Sequence, residues 1–410
     1  MYRGVVSVTL WSVKEKEAPH LGLQLATLTW SRLLINSALR MTYPFLPALA
    51  RGLGVSLPAV AHLLALRAGA GLFSPLFSPL SERFGRRPVM IGTMILFSAG
   101  AFVVVIWPAY WPLGITLVLT GFAKVVYDPA MQSYLGDVVP YRQRGKALAV
   151  TEFAWAGALL VGAPLVGIVM TRQGWEAPFL WLGLLGLGAA VLLRWLMPPG
   201  RVPKTRIASL RSLGRIVRQH PVIWAAAAYV LLIIGANELL FIVYGEWMEQ
   251  SFGLNLTNLG LATGVIGSAE IVGELLAGWS VDRFGKRPVV ITMGILTGAM
   301  YLLIPYTSRS LPAALATLFL VFLIFETTAV GGIPLMTEVV PTARSAALSA
   351  VLAASSIGRM LGALIGPEVW QLSGLSGNTL LGAIIMWAAV LVLALWVREG
   401  EEQWPLAGEG

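Results

Sequence analysis

The chain has 410 residues, of which 57% are hydrophobic and 12% charged, and it contains no cysteine. This charged fraction is about half that of a typical soluble domain, and the mean hydropathy is +0.77. The composition excludes an ordinary soluble protein, and the lack of cysteine excludes disulfides and thiol chemistry. The net charge of +9 does not indicate nucleic-acid binding, because the basic residues lie in short segments between long apolar runs.

The apolar runs predict membrane-spanning helices, since continuous runs of 18 or more residues do not alternate as barrel strands do. We expect an all-α membrane protein of twelve spans. Spans 1–6 are predicted at 21–48, 58–80, 88–107, 113–138, 145–171 and 176–197, and spans 7–12 at 221–248, 257–281, 288–307, 312–338, 344–370 and 378–397. The predicted organisation is a tail at 1–20, a first half at 21–197, a basic linker at 198–220, a second half at 221–398 and a tail at 399–410.

The basic residues predict the orientation of the spans. With the N-terminus inside, the inner loops and tails hold 21 of the 29 Lys and Arg residues and the outer loops hold three. This asymmetry follows the positive-inside rule. We therefore expect a multi-pass protein of the cell inner (plasma) membrane with both termini cytoplasmic.

One charged turn occurs twice. Glu82–Val89 reads ERFGRRPV, and 200 residues later Asp282–Val289 reads DRFGKRPV; over the fifteen positions to Leu96 and Leu296, nine are identical. A turn repeated at half the chain length predicts two similar halves. Because each half has an even number of spans, both halves enter the membrane from the same side and form parallel repeats.

Six plus six spans, a basic central linker and this duplicated turn resemble the major facilitator superfamily. The family turn reads Gly-x-x-x-Asp-Arg-x-Gly-Arg/Lys-Arg, and the second copy follows it from Gly278 to Arg287. The first copy departs at two positions, with Ser78 for the glycine and Glu82 for the aspartate. The resemblance covers residues 20–398 and implies a secondary transporter that works by alternating access, without indicating a substrate.

Ten charged residues lie near the centres of the predicted spans: Arg32, Arg67, Lys124, Asp128, Glu152, Glu238, Glu270, Glu274, Glu326 and Arg359. A charge at mid-bilayer costs roughly 2.5–3.5 kcal/mol, so these side chains must face a partner or water. None lies at the centre of span 3, 6, 9 or 12, the spans that the resemblance assigns to the outer scaffold. The resemblance thus places the charged side chains around a central cavity.

Helical periodicity groups these charges into stripes. On span 1, Arg32, Asn36, Arg40 and Tyr43 share one face, and on span 8 Glu270 and Glu274 lie one turn apart. Lys124 and Asp128 are spaced to pair, which favours a structural or gating role. Our candidates for substrate or proton binding are Arg32, Asn36, Lys124, Asp128, Glu238, Glu270, Glu274, Glu326 and Arg359.

Six central carboxylates outnumber four central cations in this set. The excess predicts a titrating proton site, a cationic ligand, or both. Arg32 and Arg359 either bind an anionic substrate or neutralise the acids, and Glu152 is favoured as a packing partner for a basic group. Trp155 and Phe241 either line the cavity or pack between helices.

The duplicated turn has the chemistry of an inner-face latch, and the resemblance implies that role. Its basic residues are placed to pair with acids at the ends of spans 4 and 10. The predicted gating residues are Glu82, Arg83, Gly85, Arg86, Arg87, Asp137 and Arg144, with Asp282, Arg283, Gly285, Lys286, Arg287, Glu338 and Arg344 in the second half. The alternative is that Lys and Arg here only set the topology.

Span 5 carries Gly157, Gly162, Pro164 and Gly167, a glycine- and proline-rich pattern similar to that of family members that export substrates in exchange for protons. The pattern favours a drug or metabolite:proton antiporter. We expect proton-coupled efflux of a small amphipathic or cationic compound. The alternatives are a proton symporter that imports a small metabolite, a lipid translocase, or a sensor that does not transport.

The sequence predicts no enzyme, because neither a phosphate-binding loop nor a convergent nucleophile or metal set is present. We expect no cofactor, no metal and no catalytic residues. The expected partners are a small-molecule substrate, protons and the lipid bilayer, with no nucleic acid, and we expect a monomer.

Overall fold

The computed structural model describes residues 20–198 and 216–397, so most of the predicted linker and both predicted tails lie outside the described residues. The described residues form helices joined by short turns, with no strand among them. The first half contains Leu21–Arg40 and Leu46–Leu53 (span 1), Leu57–Gly69, Ala70–Phe73 and Ser74–Phe84 (span 2), Arg86–Ile106 (span 3), Tyr110–Val138 (span 4), Tyr141–Gly157, Ala158–Gly162 and Ala163–Gln173 (span 5), and Ala177–Leu196 (span 6).

The second half repeats this order. It contains Pro221–Phe241 and Tyr244–Phe252 (span 7), Leu256–Phe284 (span 8), Lys286–Thr307 (span 9) and Leu311–Glu338 (span 10). A short 3₁₀ turn at Pro341–Ala343 leads into Arg344–Trp396. That last stretch holds spans 11 and 12, because its helix is interrupted at Gly374, where φ is 60° and ψ is −156°.

Nine helices of the described chain are long and apolar enough to cross a membrane, and a bent pair, Leu46–Leu53 with Leu57–Phe73, would make ten. This count takes Arg344–Trp396 as one span and omits Leu21–Arg40, the helix that carries Arg32 and Arg40. When Arg344–Trp396 is divided at Gly374 and Leu21–Arg40 is added, the count is the twelve helices predicted from the sequence.

The two halves share local geometry at two pairs of glycines. Gly85 and Gly285, in the duplicated turn, have φ values of 88° and 87°, and Gly54 and Gly253 have φ values of 64° and 63°. Residues with a Cβ rarely adopt this backbone region, which explains why glycine occurs at each position. We call the end of the bundle with Gly85 and Gly285 the turn end, and the end with Gly54 and Gly253 the opposite end.

Spans 1 and 7 break at equivalent positions, which hydropathy did not indicate. Span 1 leaves the helix at residues 41–45 and span 7 at residues 242–243, and a short helix follows each break. Span 5 contains a turn of π-helix at Ala158–Gly162, just before Pro164. Such turns often occur at functional sites.

The halves pack closely along spans 5 and 8, where glycines let the backbones approach. A Cβ on Gly267 would lie 2.5 Å from the Leu160 amide nitrogen, and one on Gly260 would lie 2.6 Å from the Ala163 carbonyl oxygen. These contacts lie between mid-membrane and the opposite end. Small residues that permit such approach are typical of interfaces between membrane helices.

Candidate functional site

Four of the mid-membrane charges of the first half form one compact cluster. The Arg32 guanidinium contacts Asp128 through Nε at 3.3 Å and Glu152 through Nη1 at 2.8 Å, and Lys124 Nζ lies 2.6 Å from Asp128 Oδ2. Arg32 also donates to the Thr151 carbonyl oxygen at 2.9 Å. Two cations and two carboxylates thus neutralise each other within this half, as the spacing of Lys124 and Asp128 and the face of Glu152 predicted.

The Asn36 side chain is hydrogen-bonded within the protein. Its side-chain amide donates to the Ala154 carbonyl oxygen at 3.0 Å, while its own carbonyl oxygen is buried without a hydrogen-bond partner. The residue therefore ties span 1 to span 5. Its unpartnered oxygen is the one feature that keeps it a candidate for ligand binding.

A buried ion pair joins the two halves. Arg40 of span 1 donates to both carboxylate oxygens of Glu270 of span 8, at 2.6 and 2.5 Å, and both side chains are at least 96% buried. Two parallel N–H···O bonds are the geometry that Arg and carboxylate favour. The sequence count of four central cations omitted Arg40, although it shares the face of span 1 with Arg32 and Asn36. Counting it gives five cations for the six carboxylates.

Trp155 of span 5 lies between the two charge groups. Its ring centroid is 4.2 Å from the Arg40 guanidinium carbon and 5.2 Å from Lys124 Nζ. Its carbonyl oxygen accepts a hydrogen bond from Arg40 at 3.0 Å. An aromatic face attracts cations through its quadrupole, so Trp155 contacts the cations of both clusters.

A second link between the halves runs through Tyr43, at the break in span 1. Its ring stacks on Phe241 of span 7 with centroids 4.3 Å apart, and its hydroxyl interacts with the Glu238 carboxylate. Arg67 donates to the same hydroxyl at 3.2 Å. Glu238 is 2% exposed and has only a loose ion pair with Arg359, at 3.8 Å, while Arg359 stays 31% exposed.

Glu274 and Glu326 are the two predicted acids that make no ion pair or hydrogen bond among the described residues. Each lies within electrostatic range of Glu270 and Arg40, on spans 8 and 10. Glu326 is 8% exposed and Glu274 is half-buried. The unpaired carboxylates of the site therefore lie beside the Arg40–Glu270 pair, on the second half.

The predicted gating residues lie at the turn end. Arg86 Nε is 3.3 Å from Asp137, and Lys286 pairs with Glu338 at the equivalent place in the second half. Each pair stays within its own half. Arg87 donates to the Arg194 carbonyl oxygen and Arg287 to the Ala394 and Val397 carbonyl oxygens, which caps the ends of spans 6 and 12.

The remaining turn residues have no carboxylate partner among the described residues. Arg83 and Arg283 lie over the rings of Phe84 and Phe284, and Arg144 lies over Tyr141 and donates to the Val139 carbonyl oxygen. The side chains of Glu82, Asp282 and Arg344 make no ion pair or hydrogen bond within residues 20–198 and 216–397. The latch role of the turn stays a prediction.

Where both partners are described, the hydrogen bonds that join the halves lie at mid-membrane or toward the opposite end. Besides Arg40–Glu270, Arg51 binds both oxygens of Glu249 at 2.6 and 3.1 Å, and the hydroxyls of Thr171 and Thr257 are 3.0 Å apart. A cavity of about 330 Å³ lies beside Arg51 and Glu249. The bundle is therefore held closed at the opposite end.

Within 20–198 and 216–397, no group of three or more His, Cys, Asp or Glu side chains is arranged to hold a metal ion. The side chains of the site are carboxylates, guanidinium and ammonium groups, and aromatic rings.

Comparison with known proteins agrees with the architecture. The chain is similar in structure to a bacterial homologue of the human lysosomal transporter Spinster in an inward-facing, occupied conformation, with a TM-score of 0.71 and 15% identity over 93% of this chain and 96% of that one. It is similar to a D-xylose–proton symporter, with a TM-score of 0.73 and 17% identity over 92% and 98% of the two chains. At these identities the likeness shows the fold alone.

The sequence pattern of the Major Facilitator Superfamily matches residues 28–245 and 230–410, so it covers both halves. Together with the twelve-helix fold, this confirms the resemblance seen in the duplicated turn and makes the protein a transporter rather than an enzyme. The chain belongs to the Major Facilitator Superfamily.

Proposed function

We propose that the chain exports a small amphipathic or cationic compound in exchange for protons, by alternating access to a site between its halves. The observation that carries the proposal is the pair of carboxylates without an ionic partner, Glu274 and Glu326, beside a buried ion pair. A buried carboxylate is costly unless it is protonated or paired with a cation. Proton and cationic ligand can therefore compete for the same acids.

The aromatic surroundings support an amphipathic ligand. Phe241 lies 5.5 Å from Phe322 and stacks on Tyr43, so apolar rings line the region between the acids of spans 7, 8 and 10. A ligand with a cationic group and an apolar body would satisfy both kinds of surface. The carboxylates of Glu274 and Glu326 would supply negative charge to such a ligand, and the aromatic rings would supply apolar contact area.

The direction of transport rests on span 5 and on the basic residues. The π-helical turn at Ala158–Gly162 and Pro164 lie in the span whose composition favours exchange with protons. With the turn end inside, the closed opposite end faces outward, so in this conformation the site communicates with the cytoplasm. We propose the plasma membrane with cytoplasmic termini, a monomer, and the boundaries predicted for the two halves and the linker.

Reconstituted protein can test this directly. In liposomes with an acidic interior, the wild-type chain should accumulate a fluorescent organic cation such as ethidium until the pH gradient is collapsed. Glu326→Gln should abolish gradient-driven accumulation but retain ethidium exchange at equal pH, because the amide cannot release a proton. Gradient-driven accumulation that is unchanged in Glu326→Gln would exclude Glu326 as the coupling group, and no ethidium movement in wild type would count against cation transport.

A second candidate function is proton-coupled import of a small anion. Arg359 favours it, since this cation is 31% exposed and its nearest carboxylate oxygen is 3.8 Å away. The sign of coupling separates the two functions, because a symporter accumulates substrate in the direction that protons flow and an antiporter against it. Arg359→Gln should abolish transport only if the substrate is anionic.

A further inference from the structure

We infer that Glu270, Trp155 and Phe241 form a binding site for a guanidinium or ammonium group, and that Arg40 fills this site as a tethered occupant in the present conformation. The inference rests on the proposed transport of a cationic compound and names the contacts that would hold its charge. Arg40 then acts as a competitor of the ligand rather than as a fixed structural cation.

The contacts of Arg40 are those that a free organic cation would need. Glu270 accepts two hydrogen bonds from the guanidinium, at 2.6 and 2.5 Å, and the Trp155 carbonyl oxygen accepts another at 3.0 Å. The guanidinium carbon lies 4.2 Å from the Trp155 ring and 5.8 Å from the Phe241 ring. A carboxylate, a carbonyl and aromatic faces together make a cation site.

The occupant and the carboxylate that holds it belong to different halves. Arg40 and Trp155 are on spans 1 and 5 of the first half, whereas Glu270 and Phe241 are on spans 8 and 7 of the second. Opening at the opposite end moves these halves apart, so Arg40 must leave Glu270 at that step. Glu270 would then be a buried carboxylate without a partner, which is unfavourable unless another cation replaces the guanidinium.

Neighbouring acids would draw such a cation toward the site. Glu274 and Glu326 both lie within electrostatic range of Glu270 and Arg40 and have no ion pair of their own among the described residues. A cation that first meets these acids can displace Arg40 from Glu270. Displacement breaks a bond between the halves, and in this way ligand binding favours opening at the opposite end.

Chemical rescue tests the site without any measurement of transport. Arg40→Ala, purified in detergent, should unfold at lower temperature than wild type, and methylguanidinium chloride should raise its Tm by about 2 °C or more. Wild type should show a smaller rise, because methylguanidinium must first displace Arg40 from Glu270. Sodium chloride at the same ionic strength should have no comparable effect.

Two matched variants define what the rescue requires. Arg67→Ala removes another buried guanidinium of the same region, whose partners are the Leu39 carbonyl oxygen and the hydroxyls of Thr42 and Tyr43 rather than a carboxylate. It should not respond to methylguanidinium. The double variant Arg40→Ala/Glu270→Gln should fold but lose the rescue, since the carboxylate is gone.

A second measurement uses the native site and does not depend on the folding of Arg40→Ala. The chain has no cysteine, so Thr171→Cys and Thr257→Cys introduce a unique pair across the halves, at hydroxyls 3.0 Å apart. Methylguanidinium should slow disulfide formation by this pair when Arg40 is present.

Three results would overturn the inference. The first is equal rescue of Arg40→Ala and Arg67→Ala, the second is rescue that survives Glu270→Gln, and the third is a disulfide rate that methylguanidinium leaves unchanged. Failure of ethidium transport would affect the proposed function but leave the rescue result standing.

Discussion

The two halves share a fold and differ in the sign of their buried charge. Near mid-membrane the first half carries four cations and two carboxylates, whereas the second carries one cation and four carboxylates. These residues are Arg32, Arg40, Arg67, Lys124, Asp128 and Glu152 in the first half, and Arg359, Glu238, Glu270, Glu274 and Glu326 in the second. The cluster around Arg32 is neutral within its own half, but Glu270 depends on Arg40 of the other half.

This difference assigns different roles to the halves. Charges that are balanced within one half can stay paired while the halves rock, whereas a pair that spans the halves must break and re-form. We therefore expect the acids of the second half to be the groups whose partners change during transport. The first half supplies the cation that neutralises one of them in the closed state.

The largest effect should come from removing one member of the pair that joins the halves. Glu270→Gln leaves the Arg40 guanidinium buried without a counter-ion, and we expect it to destabilise the protein by about 3–5 kcal/mol. Thermal unfolding in detergent measures this. Glu326→Gln is the control, since no cation is paired with that carboxylate, and an equal loss in both variants would contradict the distinction between paired and free acids.

The next effect should come from the cluster that is balanced within the first half. Asp128→Asn takes a carboxylate from both Arg32 and Lys124, and a loss of about 1–3 kcal/mol is expected from the unsatisfied buried groups. Because this cluster lies within one half, the disulfide rate between Thr171→Cys and Thr257→Cys should not change. A marked change in that rate would show that the cluster contributes to closure at the opposite end.

A smaller effect is expected at the Arg51–Glu249 pair, which joins the halves in a more exposed place. Arg51 is 61% exposed, and exposed ion pairs contribute about 1 kcal/mol or less. Glu249→Gln should therefore lower the same disulfide rate by up to about fivefold at low salt, with little difference at high salt. A rate that does not depend on salt in wild type would argue against a role for this pair in closure.

The smallest effect on stability is expected at the duplicated turn. Asp282 makes no ion pair among the described residues, and surface substitutions usually change stability by about 0.5 kcal/mol or less. If the turn acts as a latch in the conformation that is open at the opposite end, Asp282→Asn should slow transport with little change in ligand affinity. A selective loss of affinity, measured by binding to the purified protein, would contradict the latch.

Most of the fold could be predicted from the sequence because its signals are local. Hydropathy located the spans to within a few residues, and the repeat of Gly85 as Gly285 predicted two similar halves. The φ values of 88° and 87° at these glycines show that the turn has the same geometry in both halves. The i, i+4 spacing of Lys124 and Asp128 predicted their ion pair, found at 2.6 Å. Hydropathy alone did not locate the breaks in spans 1 and 7. Pro44 is a local helix-breaking signal within residues 41–45, whereas residues 242–243 are Ile and Val and carry no such signal.

The partners of the buried charges were decided by the tertiary structure. Helical periodicity places Arg40 on the same face as Arg32, but it cannot say that one meets Asp128 and the other meets Glu270, 230 residues away. Those pairings depend on where spans 1, 4 and 8 cross, which is set by packing contacts such as Gly267 against Leu160. The sequence by itself determined the membrane class, the two repeats and an excess of acids in the second half. Only the assembled helices decided which of those acids are neutralised and which are free, because a charge in a low-dielectric interior takes its state from neighbours that the chain brings together in space.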